Sequence, residues 1–218
     1  DDFLSEIREI TKKNNIVLIF DEVTSGFRIN SGGAHLTFNI DPDMAVFGKA
    51  LGNGYPISAV IGKEKIMSSA QDTFISSTFW TERVGYTAAL ASIEKHINKD
   101  VSSHLIKMGK LVNQGWIEAA ESANLDIKIS GIEPLTHIDF IYDNPALIQT
   151  LYTQEMLKRG YLVGSSVYTS FAYSDSVVEG FNKASKEVFL YLKDAIDSKN
   201  PKSFLENQIK HTGFQRLT

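Results

Sequence analysis

"MAVFGKALGNGYP", residues 44–56, places a lysine where an apolar run ends and a glycine-rich turn begins. The run "MAVF", 44–47, is short and apolar, and such a run suits a buried strand. Lys49 follows it almost at once, and Gly48, Gly52 and Gly54 punctuate the turn. Upstream, "IVLIF", 16–20, is a continuous β-branched and apolar run. That is the pattern of a strand buried on both faces of a parallel sheet, and it ends in Asp21-Glu22. "ISAVIG", 57–62, is a third run. Helical patterns accompany the runs at 1–13, where Phe3, Ile7 and Ile10 share a spacing, at 64–69, and at 82–97, "ERVGYTAALASIEKHI". Helix alternating with strand predicts a mainly parallel α/β sheet.

The second half has another rhythm. A helix is expected over 101–122, strands at "DIKISG", 126–131, and "LTHIDFIY", 135–142, and helices at 145–159 and 176–197. The first of those last two helices ends in "RG", with Gly160 as the residue that stops it. Between them lies a loop rich in serine and tyrosine. This is an α+β pattern, and it predicts two domains, 1–98 and 99–218.

Bulk properties narrow the function. The 218 residues are 43% hydrophobic, enough for a sizeable core, and the net charge of −4 comes from 22 basic and 26 acidic residues. The charges are interspersed, so no nucleic-acid or anionic-membrane surface is expected. No apolar stretch is long enough to predict a membrane-spanning helix. Cysteine is absent, which excludes disulfides and thiolate metal sites and fits a cytoplasmic setting. The five histidines (His35, His96, His104, His137 and His211) show no ligand spacing, so no metal is expected.

Ligands of open α/β sheets gather beyond the carboxyl ends of the strands. Asp21 and Lys49 stand at two such ends, 28 residues apart, about one strand–connection–strand unit. A strand-end Asp is commonly a turn or cap residue and a strand-end Lys commonly solvated. A buried lysine, by contrast, can form an imine with a carbonyl, and a carboxylate can hold a pyridine nitrogen in its protonated form. Those are the two protein handles on pyridoxal phosphate (PLP).

"DEVTSGFR", 21–28, and "FGKALGNGYPISAVIG", 47–62, resemble the class III (ω-type) aminotransferases, PLP enzymes of fold type I. Within that family the likeness is nearest to glutamate-1-semialdehyde 2,1-aminomutase and its relatives. The resemblance implies a fold type I chain: part of the large α/β domain, then a small α+β domain. It implies Asp21 as the partner of the pyridinium nitrogen, Val23 against one face of the ring, and Lys49 as the Schiff-base lysine. Lys49 would then also move the substrate proton. Glu22 would hydrogen-bond near the cofactor hydroxyl, and the glycines after Lys49 would permit close backbone approach. "ISSTFWTERVGYTAAL", 75–90, is the next similar segment; it implies that Thr78, helped by Ser77, reaches the phosphate of a neighbouring subunit's cofactor. A cap for the helix near Glu82 is the competing role for these two hydroxyls. Arg28 is matched within the "GFR" triplet, in either a structural or a substrate-mouth role. Lys63 and Lys65 follow a strand and open a helix, a solvated setting. A homodimer with shared sites, a small amino donor and a carbonyl acceptor complete what the likeness implies.

Two features depart from the family pattern. The glycine–serine phosphate turn and the ring-stacking aromatic residue of such enzymes precede the Asp motif, and neither is found here. The opening "DDFLSEIREITKKNN" also reads as the edge of a helix, so the expectation is the C-terminal part of a longer enzyme, poorly competent alone. In the loop 160–181, aminomutases carry a Phe-Glu pair where this chain has Val167-Tyr168. The missing acid favours transamination over intramolecular transfer, with Tyr168, Ser165 and Ser166 as candidate substrate contacts.

Overall fold

The structure is a computed structural model and describes residues 2–213. It divides into two compact units, 1–104 and 105–218.

The first unit opens with helix α1, Asp2–Lys13. Its inward side carries Leu4, Ile7 and Arg8, whereas Phe3 and Ile10 face outward. Arg8 reaches Asp43, Nη1 to Oδ2 at 3.0 Å, and pins the helix to the entrance of a strand. Three strands follow: β1, Ile19–Asp21; β2, Met44–Phe47; and β3, Ala59–Gly62, in the order β1-β2-β3. β1 and β2 run parallel, with Asp21 level with Val46. β3 returns antiparallel to β2, Val46 level with Val60. So this sheet is mixed where a mainly parallel one was expected. The connection from β2 to β3 is 11 residues and holds only a one-turn 3-10 helix, Lys49–Leu51. A parallel return needs a crossover of a dozen or more residues, usually helical.

The run "IVLIF" also differs from expectation. Only its end joins the sheet, and Ile19 is 52% exposed. β1 is an edge strand with one neighbour, so its burial on two faces is not achieved by the described residues. Two short helices, α2 (Ala34–Thr37) and α3 (Glu64–Met67), precede α4, Arg83–Asn98. Phe27, Ala45, Phe47, Leu51 and Ala89 form the small core of this unit.

Helix α5, Val101–Ala123, carries the chain from one unit into the other. The second unit contains β4 (Ile127–Ser130), β5 (Leu135–Phe140) and β6 (Ser166–Tyr168), antiparallel in that order. β6 lies in the stretch expected to be loop; three residues are too few to show a period. α6, Pro145–Lys158, begins with Asn144 capping Leu147 N, and Gly160 follows its end at φ +86°, as the "RG" signal predicts. α7, Asp175–Asp197, is capped by Ser174. Side chains from α5, β5, α6 and α7 share one core around Trp116, Tyr152 and Phe189. Trp116 donates Nε1–H to the Tyr152 hydroxyl at 2.9 Å inside it, and burial pushes the Tyr152 phenol up to about 12.

Candidate active site

The carboxyl edge of the β1–β2 pair carries the candidate residues. Parallel pairing sends both strands out of the sheet on one side, and Glu22 N extends the ladder by donating to Val46 O at 2.8 Å. The turn after β1 and the turn after β2 therefore meet. Asp21 Oδ1 accepts from Val23 N at 3.0 Å, which orients the carboxylate. Val23 lies over Gly48: a Cβ there would stand 3.5 Å from Val23 Cγ1. Lys49 has a left-handed backbone, φ +43°, uncommon outside glycine. Its Nζ donates to Thr24 Oγ1 at 2.6 Å. Asp21, Val23, Thr24, Gly48 and Lys49 thus form one cluster.

The expected burial of the lysine and carboxylate is not found. Both are exposed: Asp21 ends the edge strand β1, and Lys49 stands in the turn after β2.

Glu22 is the group that is buried, at 1% exposure. Successive residues of a strand face opposite ways, so Glu22 turns inward where Asp21 turns outward. Its Oε2 accepts from Ser25 Oγ at 2.5 Å. Its Oε1 accepts from His35 N at 3.0 Å and bonds His35 Nδ1 at 2.9 Å. In this structure both Glu22 oxygens are engaged in this inward knot. Burial raises the carboxyl pKa, but bonds from Ser25, the His35 and Ala34 backbone and the His35 ring outweigh it and hold it below the usual range. His96, on α4, braces the same turn: Nε2 contacts Phe27 O and Nδ1 contacts Ser31 Oγ, both at 3.0 Å. Burial lowers its pKa and favours the neutral ring.

The other candidates lie as follows. Arg28 Nε donates to Thr24 O at 3.3 Å, so it also grips the 21–28 turn. Ser77 and Thr78 are exposed in the segment before α4. Neither caps that helix: the cap position is Glu82, with no side-chain cap bond. Ser77 Oγ instead accepts from Phe79 N at 3.3 Å. Lys63 pairs with Asp41 at 2.7 Å and Asp43 at 3.5 Å, and the Asp41 bond raises its pKa; Lys65 is exposed. In the second unit, Tyr168 and Ser166 border a cavity of about 300 Å³ with Tyr161, Val167 and Tyr173. Ser165 borders a different one, with Asp139 and Gln149.

Thr24 and the Glu22 knot are the parts that sequence reasoning missed. Ser25 three residues after Glu22 is a local signal for a side-chain bond; nothing local announces His35, 13 residues away.

The cluster's chemistry suits a pyridine cofactor bearing an aldehyde. It offers an exposed accepting carboxylate, an exposed primary amine and the half-buried apolar side chain of Val23. Hydroxyls for a phosphate are available on Ser77 and Thr78.

Known proteins resemble the chain along most of its length. The model of the class-III aminotransferase family matches residues 1–167. A glutamate-1-semialdehyde 2,1-aminomutase of Nitrosopumilus maritimus is 36% identical over 209 residues, 88% of this chain and 49% of that protein. A 3-aminobutyryl-CoA aminotransferase of Cloacimonas acidaminovorans is 33% identical over 153 residues, 70% of this chain and 37% of that protein. Among solved structures, the Sphingopyxis FumI protein in its PLP internal aldimine form superposes with a TM-score of 0.84 at 26% identity, over 90% of this chain and 48% of that one. An omega-transaminase from Sphaerobacter thermophilus gives 0.80 at 25% identity, over 88% and 48%. The chain spans about half the length of the relatives it matches. With its fold type I architecture, and in a family whose cofactor is pyridoxal phosphate, the chain belongs to the class-III aminotransferases.

Proposed function

We propose that this chain contributes the reactive part of a PLP-dependent aminotransferase that moves an amino group from a donor such as glutamate to a ketone or aldehyde. The observation that carries the reading is that Asp21, at the end of β1, and Lys49, just after β2, leave one edge of a parallel strand pair, with Lys49 bonded to Thr24 in the turn that follows Asp21. Pyridoxal phosphate, when bound, supplies an electron-accepting ring that stabilises negative charge on the substrate carbon. Asp21 would accept a hydrogen bond from the protonated ring nitrogen and keep positive charge there. Val23 would pack on the ring face. Lys49 Nζ would hold the cofactor through its aldehyde and, as a free amine, would carry the substrate proton as base and then acid. Thr78 and Ser77 of a second copy of the chain would donate to the phosphate.

Residues 1–98 are assigned to the large cofactor domain and 99–218 to the small one. The phosphate turn and the ring-stacking residue are assigned to the remaining length of the longer relatives, so this chain alone is expected to bind the cofactor weakly. The exposed apolar side chains of Phe74, Phe79, Trp80 and Leu90 support a homodimer. A chain without cysteine supports a cytoplasmic setting.

A second reading, intramolecular amino transfer, is favoured by the aminomutase names of several relatives. The absence of an acid at Val167-Tyr168 and the aminotransferase names of others favour the first. A mutase turns over with one substrate, whereas a transaminase needs an acceptor for each donor.

Borohydride reduction of the full-length protein with PLP, followed by peptide mass spectrometry, tests the reading. The label is expected on Lys49 and absent from Lys49→Ala. A label on another lysine, or an unchanged visible absorbance band in Lys49→Ala, sinks the assignment.

A further inference from the structure

The hydroxyl of Thr24 is the hydrogen-bond partner of the amine on Lys49, at 2.6 Å, and it arrives from the other strand's turn. Two constraints aim these atoms at each other. The left-handed backbone at Lys49 limits where its side chain can start, and such conformations persist only when the surroundings enforce them. On the opposite side, Thr24 sits in a tight turn whose ends are tied: Gly26 N donates to Glu22 O at 2.8 Å, and Arg28 holds the Thr24 carbonyl.

Beneath that turn lies Glu22. Its buried carboxylate has both oxygens occupied, by Ser25 from inside the turn and by His35 from the start of α2. A buried charge is held in place strongly when its bonds are charge-assisted and complete. The space is also closed. A Cβ on Gly26 would meet Glu22 O at 2.7 Å, and one on Gly33 would meet Glu22 Oε1 at 2.8 Å. Turning the Glu22 carboxylate outward would break its bonds to Ser25, inside the turn that carries Thr24, and to His35.

We propose that Thr24 is a further residue of the reacting centre, holding the Lys49 amine in place, and that Glu22, through Ser25 and His35, is the positioning residue that aims it. This rests on Lys49 being the reactive lysine. The held amine has one direction in which to meet a carbonyl carbon, so its loss slows attachment and release of the cofactor without removing the ability to attach.

The test uses the full-length protein, its apo form, and two readouts. One is the rate at which Lys49 in the apo protein is acylated by acetic anhydride, relative to Lys65, by mass spectrometry. The other is the stopped-flow rate at which the visible band appears after PLP is added. Thr24→Val removes the hydroxyl with little change of shape; it is expected to change the Lys49:Lys65 labelling ratio at least threefold and to slow band formation about tenfold. Thr24→Ser is expected to restore both to within twofold. Glu22→Gln is expected to change both in the direction of Thr24→Val while its circular dichroism stays native. If Glu22→Gln does not fold, Thr24→Val and Thr24→Ser still decide the role of Thr24, and Ser25→Ala, which removes one arm of the knot, decides that of Glu22. Parent-like ratio and rate in Thr24→Val overturn the proposal. Parent-like values in Ser25→Ala together with a native, parent-like Glu22→Gln overturn the positioning role. Failure of the Lys49 reading itself shows separately, as a visible band that survives Lys49→Ala.

Discussion

Gly52→Ala should damage the turn that presents Lys49, and the structure gives the scale. Gly52 has φ −90°, where any residue is comfortable, so backbone strain contributes nothing. The cost is steric. An added Cβ would stand 2.3 Å from Tyr55 O and 2.6 Å from Ile57 Cγ2. Carbon prefers about 3.5–4 Å, and the first neighbour is backbone, so the turn must open. Overpacking of this kind costs about 1–3 kcal/mol. Opening also strains two turn bonds, Asn53 N to Lys49 O at 2.9 Å and Tyr55 N to Gly52 O at 3.1 Å, each worth about 0.5–1.5 kcal/mol. The total is about 2–6 kcal/mol. Gly48→Ala is the control, since its Cβ would meet Val23 Cγ1 at an ordinary 3.5 Å and its φ of −166° is extended. Urea unfolding of the full-length apo protein, followed by fluorescence, measures both. A Gly52→Ala midpoint equal to the parent's, or an equal loss in Gly48→Ala, would refute the reasoning.

Three further outcomes follow from the same geometry. Tyr152→Phe leaves Trp116 Nε1 buried and unpaired; it should cost about 1–3 kcal/mol in denaturant unfolding, and the parent's Tyr152 should stay un-ionised at about pH 11 in an ultraviolet titration, given its raised phenol. The Glu22 carboxyl is lowered in the folded chain, so its stabilisation is complete above the ordinary Glu range, about pH 4.3, and disappears as pH falls through the folded-state value. The stability gap between parent and Glu22→Gln should therefore be widest near neutrality and close on acidification; a constant gap would count against the inward knot. For the proposed homodimer, replacing exposed Phe74 and Trp80 together by Asp should lower the sedimenting mass of the full-length protein, and an unchanged mass would remove support for that surface as the dimer contact.

The longer helices were legible because their signals are local. α6 and α7 lie within a turn of the expected ranges 145–159 and 176–197, and Gly160 stops α6 as expected; the one-turn α2 was not, because four residues carry no period. The α+β character of the second half was equally legible, since β4 and β5 follow their apolar runs. β6 was not, because three residues carry no period. The direction of β3 was not, because an apolar run looks alike in either orientation and only the short connection decides it.

At the site, residue type and spacing marked Asp21 and Lys49 as a pair and carried the family likeness. The likeness set both Asp21 and Glu22 toward a cofactor, although neighbours in an extended strand face opposite ways. Tertiary structure decided which one turned inward. Glu22 is buried because His35, 13 residues on, and Ser25 complete its bonds. Thr24 meets Lys49 because parallel pairing brings two turns together across 25 residues of chain. Contacts of that range depend on register and on closed space, and neither is written in any local window.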